Sequence, residues 1–202
     1  MTSFARLAAS VREQIGQEKR YAHSVRVARC AELLAQRHGM DTRKARIAGM
    51  LHDLARLYAP ARLLAECEAR AMPIAPFERA HPTLLHARLG AALARERFGI
   101  EDAEVLSAIE KHTTGAARMS PLDCAVYLAD GLEPERAYPE RAQLWDLALH
   151  DLPAAMRAVL LLALGHNARK GVSPAPPALE AAEAFGVSLV ESRATEEPAS
   201  TS

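Results

Sequence analysis

The chain has 202 residues, half of them hydrophobic, which is enough to bury one core and argues against several large domains. Its 25 basic and 25 acidic residues cancel, so it lacks the overall positive field that gathers nucleic acid without regard to base sequence. Three widely spaced cysteines, Cys30, Cys67 and Cys124, form no CxxC pair and indicate neither a disulfide framework nor a thiolate zinc site.

Apolar residues recur at three- and four-residue spacing almost throughout, and β-branched and aromatic clusters are scarce, which predicts an all-α fold. Residues 1–17 form an N-terminal helical segment, with a helix from Ser3 to Ile15 stopped by Gly16. This stretch lacks the uninterrupted apolar core of a signal peptide, so a cytoplasmic protein is expected. A main domain spans 18–170. Its first helix runs from Glu18 to His38 and is stopped by Gly39. Asp41 caps the next, which continues through "AGMLHDLARLY" to about Tyr58. Pro60 starts a short helix, and "MPIAPFERAHP" from Met72 reads as a proline-rich loop. Helices follow from Pro82 to Phe98 with a stop at Gly99, and from Asp102 to Lys111. "HTTGAARM" breaks the pattern.

Pro121 to Asp130, Pro139 to Leu149 and Leu152 to Arg169 complete the domain. The longest apolar run, "AVLLLALG" from Ala158, is too short to cross a bilayer, so no membrane association is expected. The helix that contains it suits either the core or a homodimer face. Residues 171–190 hold a weaker helix near Pro177 to Phe185, and the polar tail 191–202 is expected to be disordered.

Histidines and acids concentrate at buried-looking positions: His23 in "KRYAHSVRVA", His52 and Asp53 side by side, His86 in "PTLLHARLGA", His112 at a helix end and Asp130 in "VYLADGLEP". Burying several imidazoles and two carboxylates is costly unless something compensates them, and a divalent cation does so for all at once. A carboxylate has two oxygens, so Asp53 can bridge two ions where His52 binds one. Ala48 and Gly49, one turn before His52, let another helix come close. Helical spacing alone fits equally well with tight packing around a capping or salt-bridged Asp53. His38, His81, His150 and His166 have no comparable setting, although His81 could line a pocket entrance. Trp145 and Tyr127 read as core, and Tyr138 as a residue able to stack on a base.

The order His23, His52-Asp53, Asp130 resembles the H…HD…D signature of the HD-domain metal-dependent phosphohydrolases. The blocks "KRYAHSVRVA", "ARIAGMLHDLAR", "HPTLLHARLGA", "FGIEDAEVLSAIEKHTTG" and "YLADGLEPER" resemble its YqeK-type branch of bacterial symmetrical diadenosine tetraphosphate hydrolases. The likeness covers roughly Lys19 to Lys170. It implies an HD-domain helical bundle with a dinuclear metal centre, of iron by analogy, with manganese or zinc as alternatives. His23, His52, Asp53 and Asp130 would hold one ion, and Asp53, His86 and His112 the other. It further implies hydrolysis of diadenosine tetraphosphate to two ADP by a metal-bridging hydroxide, with Asp53, Arg56 and Asp130 as catalytic residues.

A small-molecule polyphosphate needs cations beyond the metals, and Arg20, Arg56 and Arg136 are placed to supply them, although each could equally be a solvated surface arginine. Position 56 departs from the family pattern, where lysine is commoner. Thr113, Thr114 and Gly115 form a turn beside His112 whose hydroxyls and backbone N–H groups could reach phosphate or a water behind the metal ligands, a stretch that equally suits a plain helix C-terminal turn. Glu133, one turn past Asp130, could handle protons, support a ligand or be a surface acid. The alternatives are an HD phosphohydrolase of another nucleotide and a non-catalytic nucleotide-binding module. Such a module should lose ligands, yet all six ligand positions are present.

Overall fold

The computed structural model describes residues 4–187. Among them are eleven α-helices: α1 (Phe4–Ile15), α2 (Glu18–Arg37), α3 (Thr42–Leu51), α4 (Pro60–Ala69), α5 (Pro76–Ala80), α6 (Leu85–Phe98), α7 (Ala103–Lys111), α8 (Pro121–Leu132), α9 (Arg141–His150), α10 (Leu152–Arg169) and α11 (Pro176–Ala184). A single 3-10 turn, Pro82–Leu84, precedes α6. The fold is all-α, as the periodicity predicts. None of the described helices is long and apolar enough to cross a membrane.

Helix starts follow local chemistry. The Asp41 carboxylate accepts from the backbone N–H groups of Arg43 and Lys44, and Asp102 accepts from those of Glu104 and Val105. Ser120 and Asp123 cap α8 reciprocally: Ser120 Oγ accepts from Asp123 N at 3.1 Å, and Asp123 Oδ2 accepts from Ser120 N at 2.8 Å. Each such bond satisfies a donor that the first helical turn leaves unpaired.

Three expectations need correction. The helix from Asp41 ends at Leu51, and residues 52–57 continue as turns. There Leu54 N donates to Leu51 O and Arg56 N to Asp53 O, each bond spanning three residues. The His52 ring occupies Gly49 O through Nδ1 at 2.8 Å, the carbonyl that a continuing α-helix would offer to the amide of residue 53. The stretch expected as a proline-rich loop contains α5, because Pro76 suits a first helical turn and Glu78 accepts from Ala75 N at 2.9 Å. The α-helix expected from Pro82 begins at Leu85 after the 3-10 turn. The tail expected to be disordered, 191–202, lies outside the described residues.

The core is built from leucine and small residues. Leu34, Met50, Leu51, Leu54, Leu85, Leu89, Leu93, Ile109, Leu128, Leu132 and Met156 are essentially inaccessible to solvent, and burial of each such side chain contributes about 1.5–3 kcal/mol. Helix α2 packs chiefly on α3 and α8, and α7 lies against α3, α6 and α8. The α2–α3 approach is very close. A Cβ added at Gly49 would stand 2.8 Å from Ala28 Cα and 3.0 Å from Val27 O, both backbone atoms. Only hydrogen fits there, as the small residues ahead of His52 suggest.

Gly49→Ala should destabilise the fold by about 1–3 kcal/mol through overpacking, read as a Tm lower by several degrees. In Gly131→Ala the new methyl meets nothing within 4 Å, and Tm should hold or rise slightly. The cysteines give a second check. All three are free and buried, and burial pushes the Cys30 thiol up to about 11 and Cys124 to about 12. A thiol-reactive dye at pH 8 should therefore label them only after denaturation.

Candidate metal and phosphate site

The six ligand candidates meet at one place from five segments. His23 lies on the second turn of α2, His52 and Asp53 follow α3, His86 opens α6, His112 follows α7, and Asp130 is in the last turn of α8. The first five are at most 5% exposed. Asp53 divides the group. Its Oδ2 faces His52 Nε2 at 3.3 Å, His23 Nε2 at 3.7 Å and Arg20 Nη1 at 2.8 Å, while its Oδ1 faces His86 Nε2 at 3.4 Å and His112 Nε2 at 3.8 Å. Asp130 Oδ1 is 3.0 Å from His23 Nε2 and 3.8 Å from His52 Nε2. His86 and His112 bring their Nε2 atoms to 3.2 Å of one another.

Ring orientation comes from the other nitrogen. His52 Nδ1 meets Gly49 O at 2.8 Å and His112 Nδ1 meets Ile109 O at 2.7 Å, carbonyls of a last helical turn that lack full intrahelical pairing. His86 Nδ1 meets Thr83 O in the 3-10 turn. With Nδ1 as donor, each Nε2 is left as a bare lone pair turned inward.

Electrostatics follow from this crowding. Burial disfavours the Asp53 carboxylate, but the adjacent His52, with His86 and His112, outweighs it and holds Asp53 well below its ordinary range. Burial likewise opposes ionised Asp130, and His23 and His52 overcome it. His52 is resisted by burial yet raised by Asp53 and Asp130. Burial, then His52 and His86, push His112 down to about 3, so this imidazole is neutral.

The buried Nε2 atoms of His23 and His52 have no hydrogen-bond partner, and an unsatisfied buried polar atom costs about 1–3 kcal/mol. A cation between the rings would satisfy both. Two triads, His23–His52–Asp130 and His52–Asp53–His112, each place their ligand atoms within 4.8 Å of one another. His86 lies outside both triads and meets the cluster through His112 and Asp53 Oδ1. Imidazole and carboxylate donors without thiolate suit iron, manganese or zinc. The residues therefore fit a divalent metal centre.

Above the cluster opens a cleft of about 260 Å³ lined by Arg20, Asp53, Arg56, Thr83, Leu84, His86, His112, Thr113, Asp130 and Arg136. Arg136 donates through Nε to Asp130 O at 2.9 Å and through Nη2 to Asp130 Oδ1. Arg56 is exposed at the rim. Thr113 Oγ1 sits 3.0 Å from His112 Nε2 and 3.2 Å from His86 Nε2. Thr114 does not line this cleft but two adjoining cavities. Beside it Gly115 takes φ +69°, and a Cβ there would stand 2.9 Å from Ala181 Cβ of α11, which explains the turn after His112.

Two of the bordering cavities share Thr113 with the cleft. One of about 660 Å³ includes Tyr138, His166, Asn167 and Arg169 and shares His112, Thr113, Asp130 and Arg136 with it. The other, about 260 Å³, shares Thr83, Leu84 and Thr113 and carries His81, stacked on Phe77 with centroids 4.3 Å apart. His81 thus lines a cavity that adjoins the cleft and not the cleft itself. Sequence reasoning missed Arg26, one turn past His23, which pairs with Glu133 at 2.6 Å. Its helical spacing from His23 was the available signal. Thr83 and Leu84 were also missed, because the 3-10 turn was not foreseen.

The HD-domain family model matches residues 20–135. The chain is similar to the symmetrical bis(5'-nucleosyl)-tetraphosphatase of Bacillus subtilis (strain 168), with 38% identity over 148 residues, 73% of this chain and 78% of the relative. It is 37% identical over 146 residues to the protein of that name from Halalkalibacterium halodurans, covering 71% and 76% of the two chains. A crystal structure of a predicted HD superfamily hydrolase involved in NAD metabolism from Clostridium acetobutylicum superposes with a TM-score of 0.87 at 33% identity, over 92% of this chain and 97% of the other.

Adding manganese, zinc or ferrous ion to metal-stripped protein should raise its Tm. At a free concentration a hundredfold above Kd, one ion adds about 2.7 kcal/mol. A chelator should reverse the gain, and Asp53→Ala should remove most of it.

Proposed function

The chain belongs to the HD-domain family, and from that premise we propose that it is a metal-dependent hydrolase of dinucleoside polyphosphates, cleaving diadenosine tetraphosphate symmetrically to two ADP. The observation that carries the reading is the division of Asp53, one oxygen toward His23 and His52 and the other toward His86 and His112, at the floor of a cleft edged by three arginines. The names of the relatives supply the substrate class.

In this reading His23, His52, Asp53 and Asp130 hold one ion, and Asp53, His86 and His112 the other. Iron is the first choice by family analogy, and manganese and zinc suit the same donors. A bound pair of divalent cations supplies an acidified water and neutralises phosphoryl charge during in-line displacement.

The protein's own groups position the polyphosphate. Arg20 and Arg136 are anchored on Asp53 and Asp130, and their remaining N–H donors are available to phosphate oxygens without reordering a long side chain. Arg56 at the rim meets the outer phosphates. Thr113 Oγ1, between two imidazoles, orients a phosphoryl oxygen or water by hydrogen bonding. Cleavage next to the central bridge leaves a nucleoside diphosphate on each side, and the two bordering cavities receive the nucleoside ends, with Tyr138 in the larger one to stack on a base. The substrate class and three free cysteines favour a reducing cytoplasm.

The solved relative's link to NAD metabolism makes a second reading specific: the same centre acting on the diphosphate of a dinucleotide cofactor. Chromatography of products separates the two. Diadenosine tetraphosphate should yield ADP alone. A mixture of ATP and AMP, or turnover of NAD with the tetraphosphate untouched, would overturn the assignment. Asp53→Ala should abolish turnover with far-UV circular dichroism unchanged. Arg56→Ala should lower kcat/KM by about 10–100-fold, mostly through KM, as loss of a charge-assisted hydrogen bond worth about 1.5–3 kcal/mol predicts.

A further inference from the structure

The four imidazoles of the site are not oriented alike. Three direct Nδ1 to the backbone carbonyl three residues earlier: Gly49 for His52, Thr83 for His86 and Ile109 for His112. These histidines stand at helix ends or beside a 3-10 turn, where such carbonyls are accessible. His23 lies inside α2, where each neighbouring carbonyl is engaged by the helical ladder. Its Nδ1 meets a side chain instead, Glu133 Oε1 at 3.1 Å.

Glu133 is 3% exposed and held from several directions. Arg26 donates through Nε to Oε2 at 2.6 Å and through Nη2 to Oε1 at 3.3 Å, and the backbone N–H of Glu135 donates to Oε2 at 2.9 Å. Arg26 also pairs with the Glu135 carboxylate at 2.8 Å. Two residues of α2, one turn apart, are thereby tied to the end of α8, directly after Asp130. The buried Nε2 of His23, facing Asp130 Oδ1 at 3.0 Å, has no hydrogen-bond partner.

Resting on the two-ion reading above, we propose that Glu133, held by Arg26, is a positioning residue that fixes the His23 ring with Nδ1 as donor and strengthens Nε2 as a ligand for one of the two ions. The other three imidazoles have a neutral carbonyl behind them, so only the site containing His23 depends on this carboxylate. A carboxylate behind a ligating imidazole raises its basicity more than an amide carbonyl, and loss of such support typically weakens metal binding 10–100-fold. A purely architectural Arg26–Glu133 pair would instead lower Tm and leave both metal affinities as they were.

The test titrates metal-stripped full-length protein with zinc against a chromophoric chelator, for wild type, Glu133→Ala and Glu133→Gln, with metal stoichiometry after dialysis and circular dichroism alongside. Wild type should bind two ions. Glu133→Ala should bind one of them about 10–100-fold more weakly and retain about one ion after dialysis. Glu133→Gln still offers an oxygen to Nδ1–H and should fall between. Two unchanged affinities in both variants would overturn the proposal and leave the two-ion reading standing, whereas a wild type that binds no metal would overturn both. Should Glu133→Ala lose its helical signal, Glu133→Gln decides: weakened binding at one site supports the role and unchanged binding refutes it.

Discussion

The site depends on one constraint: four imidazoles and the Asp53 carboxylate share a space from which water is nearly excluded, with the partly exposed Asp130 at its edge. Each group alone would be unfavourable there. Together they compensate in part, which is why Asp53 and Asp130 remain ionised despite burial and His112 stays neutral. The compensation is incomplete, because the Nε2 atoms of His23 and His52 lack hydrogen-bond partners. A cation between the rings would relieve that imbalance, and the fold can be understood as the means of holding the cluster in place.

The holding is done by close helix packing and by helix ends. At Gly49 the backbones of α2 and α3 approach until no Cβ fits, which brings His23 and the His52–Asp53 pair to one point. The end of α3 then matters as much as its length. Its last carbonyls orient His52, and the turns that follow set Asp53 between two pairs of imidazoles. The end of α7 does the same for His112, with α11 pressing on the adjacent turn at Gly115. Rigid elements carry these side chains and short turns direct them.

Charge is arranged in layers above the cluster. Arg20 and Arg136 contact the carboxylates directly, Arg56 stands at the rim, and Arg26 is engaged behind His23 by Glu133 and Glu135. A chain with no net charge therefore sets three arginines, Arg20, Arg56 and Arg136, against two carboxylates in the lining of one cleft. That distribution suits a compact polyanion gripped at close range better than an extended one drawn in by a long-range field.

Much was legible in the chain itself. The apolar periodicity established an all-helical fold, since 3.6-residue spacing has few other solutions. Asp41, Asp102 and the residues from Ser120 marked helix starts, because capping is a local matter of one side chain and the next few amides. The identities of His23, His52, Asp53, His86, His112 and Asp130 as one set were also readable, through their buried-looking settings and a resemblance that spans most of the chain. What the tertiary structure decided was everything that depends on direction. Periodicity carried α3 on to Tyr58, because it does not register that an imidazole can take the carbonyl that the next amide needs. It passed over α5 and the 3-10 turn, where prolines sit at first-turn positions. Glu133 was legible as a possible support for a ligand and Arg26 shares a helix face with His23, but periodicity could not bring the three together, because those contacts join residues 107 and 110 positions apart. Local spacing determines which face of a helix a side chain occupies; only packing of the whole chain determines what that face meets.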